Sequence, residues 1–103
     1  MELYPDQILQ DIGSSFDLLH WTVLIEAAQE IDNAGYCSFL NLEKRVNTNR
    51  PRFYRTVSFL EGAQTLTIGR NIRDQRINEV RLTENGLRLL EMYQAQNQKE
   101  GSK

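Results

Sequence analysis

No lysine or arginine occurs in the first 43 residues of this 103-residue chain. Over that stretch the acids stand alone: Glu2, Asp6, Asp11, Asp17, Glu26, Glu30, Asp32 and Glu43. The chain has one cysteine, Cys37, and one histidine, His20. A single cysteine excludes an intrachain disulfide, and the pair falls short of a standard zinc site, so no metal is expected. Cys37 reads as a buried thiol and His20 as a packed or surface imidazole. No run of about 18 apolar residues exists, which excludes a membrane-spanning helix. Residues 1–6 are acidic and lack the basic-then-apolar layout of a secretory leader, so a cytoplasmic setting is expected. No glycine-rich phosphate loop, zinc spacing or nucleophile–base pair is found, so no catalytic residue, cofactor or enzyme activity is expected.

The bases that are missing early are concentrated later. Residues 44–81 carry Lys44, Arg45, Arg50, Arg52, Arg55, Arg70, Arg73, Arg76 and Arg81 against Glu61, Asp74 and Glu79, a local charge of +6 in a chain whose total is −2. Local field rather than net charge decides where a polyanion docks. The length and the 40% hydrophobic, 25% charged composition suit one globular domain.

Hydrophobic periodicity divides that domain, taken as residues 1–98, into four segments: an N-terminal helix extension over 1–13, a helical core over 16–62, a hairpin over 65–82 and a C-terminal helix over 83–98. Residues 99–103 read as a frayed tail. Pro5 suits the first turn of a short helix with Ile8, Leu9 and Ile12 on one face, ended by Gly13. Ser14 or Ser15 is expected to cap the next helix, about Phe16 to Ile31. Its core stripe is Phe16, Leu19, Val23, Ala27 and Ile31, and Leu18, Trp21 and Ile25 form a second apolar line. Asn33-Ala34-Gly35 reads as a turn and Tyr36–Phe39 as a short extended stretch. A helix of about eight residues ends at Val46, with Phe39, Leu42 and Val46 aligned. Asn47-Thr48-Asn49 is a tight turn, and Pro51 fits the first turn of a helix reaching about Glu61. That helix buries Phe53, Val57 and Leu60. From Thr65 the period becomes two: Leu66 and Ile68, then Val80 and Leu82, flank a polar turn. Thr83 caps a last helix whose Leu87, Leu89, Leu90, Met92 and Tyr93 exceed what one stripe needs. The fold class is mostly α with a small β-hairpin (α+β): a winged helix-turn-helix.

Subtracting the buried stripe leaves Arg50, Arg52, Arg55, Thr56 and Ser58 outside on the helix at 50–61. Arg52, Arg55 and Thr56 are expected to face the major groove of double-stranded DNA, arginine being suited to bidentate pairing with guanine. Thr48, Asn49, Arg50, and Lys44 or Arg45 are expected to anchor phosphates. Arg70, Arg73 and Arg76 are expected at the flanking minor groove, with Asp74 shaping the turn. The surplus apolar residues Ile8, Leu9, Ile12, Leu18, Trp21, Ile25, Leu89, Met92 and Tyr93 predict a homodimer interface. Two recognition helices would then lie about 34 Å apart. Packing within one chain is the competing explanation for those residues. A winged helix used for protein–protein contact without DNA is the competing function.

Three segments carry a resemblance. His20-Trp21-Thr22-Val23-Leu24-Ile25 resembles the opening of the first core helix in HxlR-type and related MarR/PadR-type regulators. Arg55-Thr56-Val57-Ser58-Phe59-Leu60-Glu61 is similar to the end of their recognition helix. Val80-Arg81-Leu82-Thr83-Glu84-Asn85-Gly86-Leu87-Arg88-Leu89-Leu90 is similar to the segment that closes their wing and opens their last helix. The resemblance spans about residues 16–93. It implies a homodimeric transcriptional regulator joined through its terminal helices, and leaves a small-molecule effector open. The chain departs from it at Gln64-Thr65, where such proteins often have glycine and an apolar residue. It also lacks an N-terminal cysteine, so redox sensing is not implied.

Overall fold

The computed structural model describes residues 2–101, with side chains to Asn97. The elements are α1 (Asp6–Ser14), α2 (Leu18–Ala34), β1 (Cys37–Ser38), α3 (Phe39–Val46), α4 (Arg50–Gly62), β2 (Leu66–Arg70), β3 (Asn78–Leu82) and α5 (Glu84–Gly101). The strands form one antiparallel sheet in the order β1-β3-β2. A helical core with a helix pair, α3 and α4, followed by a β-hairpin is a winged helix-turn-helix.

Three local expectations are corrected. Asp17, not Ser14 or Ser15, caps α2. Its carboxylate accepts from the amides of Leu19 and His20, and the His20 ring returns to the Asp17 amide, closing a capping box. The two serine hydroxyls turn back and donate to the Asp11 and Ile12 carbonyls at the end of α1. Phe16 therefore precedes the helix. At its other end α2 runs through Asn33 and Ala34 and closes on Gly35, whose φ of 85° is a left-handed cap. Helix α5 continues past its expected end at 98 to Gly101, while Ser102 and Lys103 of the expected tail lie outside the described residues.

The core is one cluster in which Val23, Leu24 and Ala27 of α2 meet Leu42 of α3, Phe53, Val57 and Leu60 of α4, Leu66 of β2, Val80 of β3 and Leu90 of α5. Each fully buried large side chain contributes about 1.5–3 kcal/mol. The pairing of Leu66 with Leu82 and Ile68 with Val80 places the period-two apolar residues on one face. The pairing of Cys37 with Val80 ties the α2–α3 connection to the same strand.

The base of the wing is pinned where α4 ends and α5 begins. Gln64 turns the chain with a φ of 60°. The carbonyl of Thr65 accepts from the Thr83 amide at 3.1 Å, while the Thr83 hydroxyl donates to the Gln64 carbonyl at 2.6 Å and accepts from Gly86 at 3.1 Å. The N-terminal segment is fastened to the same corner. Asn85, fully buried, accepts from the Tyr4 amide and donates to the Glu2 carbonyl, both at 2.9 Å. Arg88 donates to the Tyr4 carbonyl at 2.7 Å and pairs with Asp6.

Candidate nucleic-acid interface

The α3–α4 turn is built by asparagines. Asn47 takes the left-handed conformation at the end of α3, with a φ of 55°. Asn49 caps α4, its side-chain oxygen accepting from the Arg52 amide at 2.9 Å, and Pro51 occupies the first turn. The Asn49 side-chain oxygen is thus committed to the fold.

The inner face of α4 holds Phe53, Val57 and Leu60 as expected, and also Thr56, only 6% exposed. Thr56 is therefore not a groove-facing residue. It lies three residues after Phe53 and four before Leu60, within the buried stripe. Arg50, Arg52, Arg55 and Ser58 are exposed.

The basic side chains divide by what they touch. Arg45 folds against α2, 2.7 Å from Glu26 and 3.3 Å from Glu30, and donates to Gln29. Those acceptors fall on one face of α2, so Arg45 is engaged in linking two helices. Arg50 bonds Glu43 at 2.8 Å, which raises its pKa, yet its side chain is 68% exposed. Arg76 pairs with Asp74 at 2.9 Å and holds that carboxyl below the usual carboxylate range. Arg70 donates to the Gln75 carbonyl at 2.8 Å. Lys44, Arg52, Arg55 and Arg73 have no carboxylate within ion-pair distance among the described residues. Exposed pairs such as Arg50–Glu43 are weakly held and can be exchanged.

Helix and wing share a surface. Phe39, Glu43, Arg50, Tyr54, Arg76 and Asn78 border one cleft of about 450 Å³ between α3, the start of α4 and the hairpin. Tyr54 is a member of this surface that the sequence reading does not include. It is half exposed, with its ring 5.5 Å from that of Phe39. Its spacing between Arg50 and Ser58, four residues either way, is the signal that could have found it. Thr48 lies half-buried in the turn before α4.

The expected dimer residues separate into two groups. Leu9 and Leu89 are buried within the chain, because α1 packs on α5. Trp21 stacks on Tyr93 with ring centres 4.2 Å apart, and Ile25 packs against the core. Ile12 and Met92 are partly covered. Leu18, 74% exposed, and Ile8 remain open to solvent. A groove of about 750 Å³ runs between α1 and α5 and is lined by Leu9, Trp21, Leu89 and Tyr93.

Cys37 is buried, and desolvation, with Glu30 and Glu79 acting in the same direction, pushes its thiol up to about 11. No cluster of histidine, cysteine and carboxylates able to hold a metal occurs among the described residues. No described helix is long and apolar enough to cross a membrane.

The architecture defines a winged-helix protein, and its fold is that of MarR-type transcriptional regulators. No family model and no curated protein matches the chain. Among solved structures, it is similar to Staphylococcus aureus MepR in complex with DNA, with a TM-score of 0.76 at 16% identity, covering 93% of this chain and 68% of that one. It is also similar to Bordetella bronchiseptica BpsR, whose DNA binding is regulated by 6-hydroxynicotinic acid, with a TM-score of 0.66 at 20% identity over 90% and 65% of the chains. A third is the Streptomyces coelicolor PcaV transcriptional regulator with its natural ligand, with a TM-score of 0.59 at 24% identity over 74% and 51%. The chain spans between half and about two thirds of the length of these proteins.

Proposed function

We propose that the chain is a transcriptional regulator that binds double-stranded DNA through α4 and the wing. One observation carries this reading: Arg50 in the first turn of α4 and Arg76 of the hairpin border one cleft, while Arg52 and Arg55, exposed on the same helix, have no carboxylate partner among the described residues. A winged helix offers those two elements to the major and minor grooves. In this reading Arg52 and Arg55 reach base edges. Lys44, Thr48, Arg50 and the Asn49 amide group hold phosphates, and Arg70, Arg73 and Arg76 lie along the flanking minor groove. Arg45 and Thr56 do not contribute. Similarity in fold to a regulator solved on DNA supports the assignment.

The functional unit is proposed to be a homodimer in the cytoplasm. Leu18, Ile8 and the α1–α5 groove are the apolar surfaces open to a second copy, and a two-fold arrangement would repeat the recognition helix along a pseudo-palindromic site. Selection from a pool of random duplexes, followed by a gel shift, tests the function. Wild type is expected to enrich one motif. Arg52→Ala/Arg55→Ala is expected to keep its fold and lose specific binding by about 1–3 kcal/mol per guanine contact removed. Equal binding by the double variant removes the assignment of α4. Capture of no duplex, with tight salt-insensitive binding to a protein, would favour the protein-contact alternative.

A further inference from the structure

We propose that Ile72, at the tip of the wing, is an apolar wedge that enters the minor groove of the bound duplex and bends it. This rests on the DNA-binding reading above. Ile72 is 88% exposed, the most exposed large hydrophobic side chain among the described residues. It sits between Arg70 and Arg73, with Arg76 across the turn.

The turn that carries it is tightly bonded. The Asn71 side chain accepts from the amides of Arg73 and Asp74, both at 2.9 Å, and donates to Glu79 at 2.8 Å. The Asn71 amide donates to the Ile77 carbonyl at 2.9 Å, and the Ile77 amide to the Asp74 carbonyl at 3.0 Å. The residues on both sides of Ile72 are thereby anchored. A cleft of about 640 Å³ lies beside the turn, bordered by Gly35, Tyr36 and Arg81 and edged by Ile72, which nonetheless stays open to solvent. The fold presents this side chain to solvent on a fixed support.

The surroundings select the partner. An apolar group fixed in water gains by burial in whatever docks there. Three arginines flank it, and the one acid inside the turn, Asp74, is already paired with Arg76. The matching surface is anionic outside and apolar within: phosphates in front of stacked bases. Arginines are attracted to a narrow minor groove, and an apolar side chain between them can unstack a single base step and kink the helix. Pyrimidine–purine steps open most easily, so the flank of the site is expected to favour TA or CA without a hydrogen bond to either base.

Fluorescence anisotropy gives the affinity and end-to-end energy transfer the bend, both on the duplex selected by wild type. Ile72→Ser lies on the surface, and its melting curve checks that the fold is kept. The expected result is a loss of the bend and roughly tenfold weaker binding with the salt slope unchanged, since no phosphate contact is removed. Arg73→Ala should instead lower the salt slope by about one. If Ile72→Ser binds and bends as wild type while Arg52→Ala/Arg55→Ala is impaired, the wedge is overturned and the regulator reading stands. If wild type binds no duplex, or Ile72→Ser loses only an affinity for protein, both fall.

Discussion

A β-carbon added to Gly86 would overlap the carbonyl oxygen of Thr65, so the first turn of α5 touches the root of the wing backbone to backbone. The amide of Thr83 bonds that same oxygen. The hairpin is held against α5 by this contact. Replacement of Gly86 by alanine must move backbone, since no flexible side chain is there to yield. Gly86→Ala is expected to destabilise the protein by about 2–3 kcal/mol, read as a shift of the urea midpoint at unchanged slope.

The opposite sign is expected one corner away. Gln64 holds a φ of 60°, a conformation that costs a side-chain-bearing residue about 1–2 kcal/mol and glycine almost nothing. Gln64→Gly removes that strain and adds chain entropy to the unfolded state. The net expectation is a stabilisation of about 0.5–1 kcal/mol by thermal or urea unfolding. The bond from the Glu2 amide to the Gln64 side chain is 3.3 Å long and exposed, and its loss matters little.

Much of the architecture is legible in the sequence, for a physical reason. Element order, the hairpin and the buried trio Phe53, Val57 and Leu60 follow from periodicity, which is local. Gln64, where the regulators that the sequence resembles often have glycine, stands at a left-handed position that glycine would favour. The failures are tertiary or finer than a stripe. Arg45 reads as a phosphate anchor from the sequence because its partners Glu26 and Glu30 lie on another helix. Thr56 reads as outward by its polarity, although its spacing from Phe53 and Leu60 marks it as inner. Leu9 and Leu89 read as contacts to a partner chain, whereas α1 of the same chain packs on α5 and buries them. The capping of α2 by Asp17 escapes a local reading because three candidate caps stand within four residues.

Cys37 supplies a test of the core. Burial raises its thiol to about 11, so the proton is held more tightly in the folded chain than in the unfolded one. That contribution is complete below the unfolded value near 9 and is lost as pH rises through the folded value. Iodoacetamide at pH 8 should therefore label the native protein slowly and the urea-unfolded protein fast. Stability should decline between about pH 9 and pH 11, and Cys37→Ala should flatten that decline.

Leu18 tests the proposed assembly. It is 74% exposed, so Leu18→Glu should leave the melting of the monomer fold intact. Light scattering at micromolar concentration is expected to give a dimer mass for wild type and a shift toward monomer for the variant. A monomeric wild type would remove the two-fold arrangement while leaving the basic surface in place.

The salt dependence of duplex binding bears most directly on the claim that α4 and the wing form one phosphate-facing surface. Each phosphate neutralised adds about −0.9 to the slope of log affinity against log salt. Wild type should show a steep slope of several units. Separate loss of the phosphate-anchoring charge around the start of α4 (Lys44→Ala/Arg50→Ala) and of wing charge (Arg73→Ala/Arg76→Ala) should each make it shallower, on the same duplex and with the fold intact. A slope near zero in wild type, or one that neither double variant changes, would contradict the account.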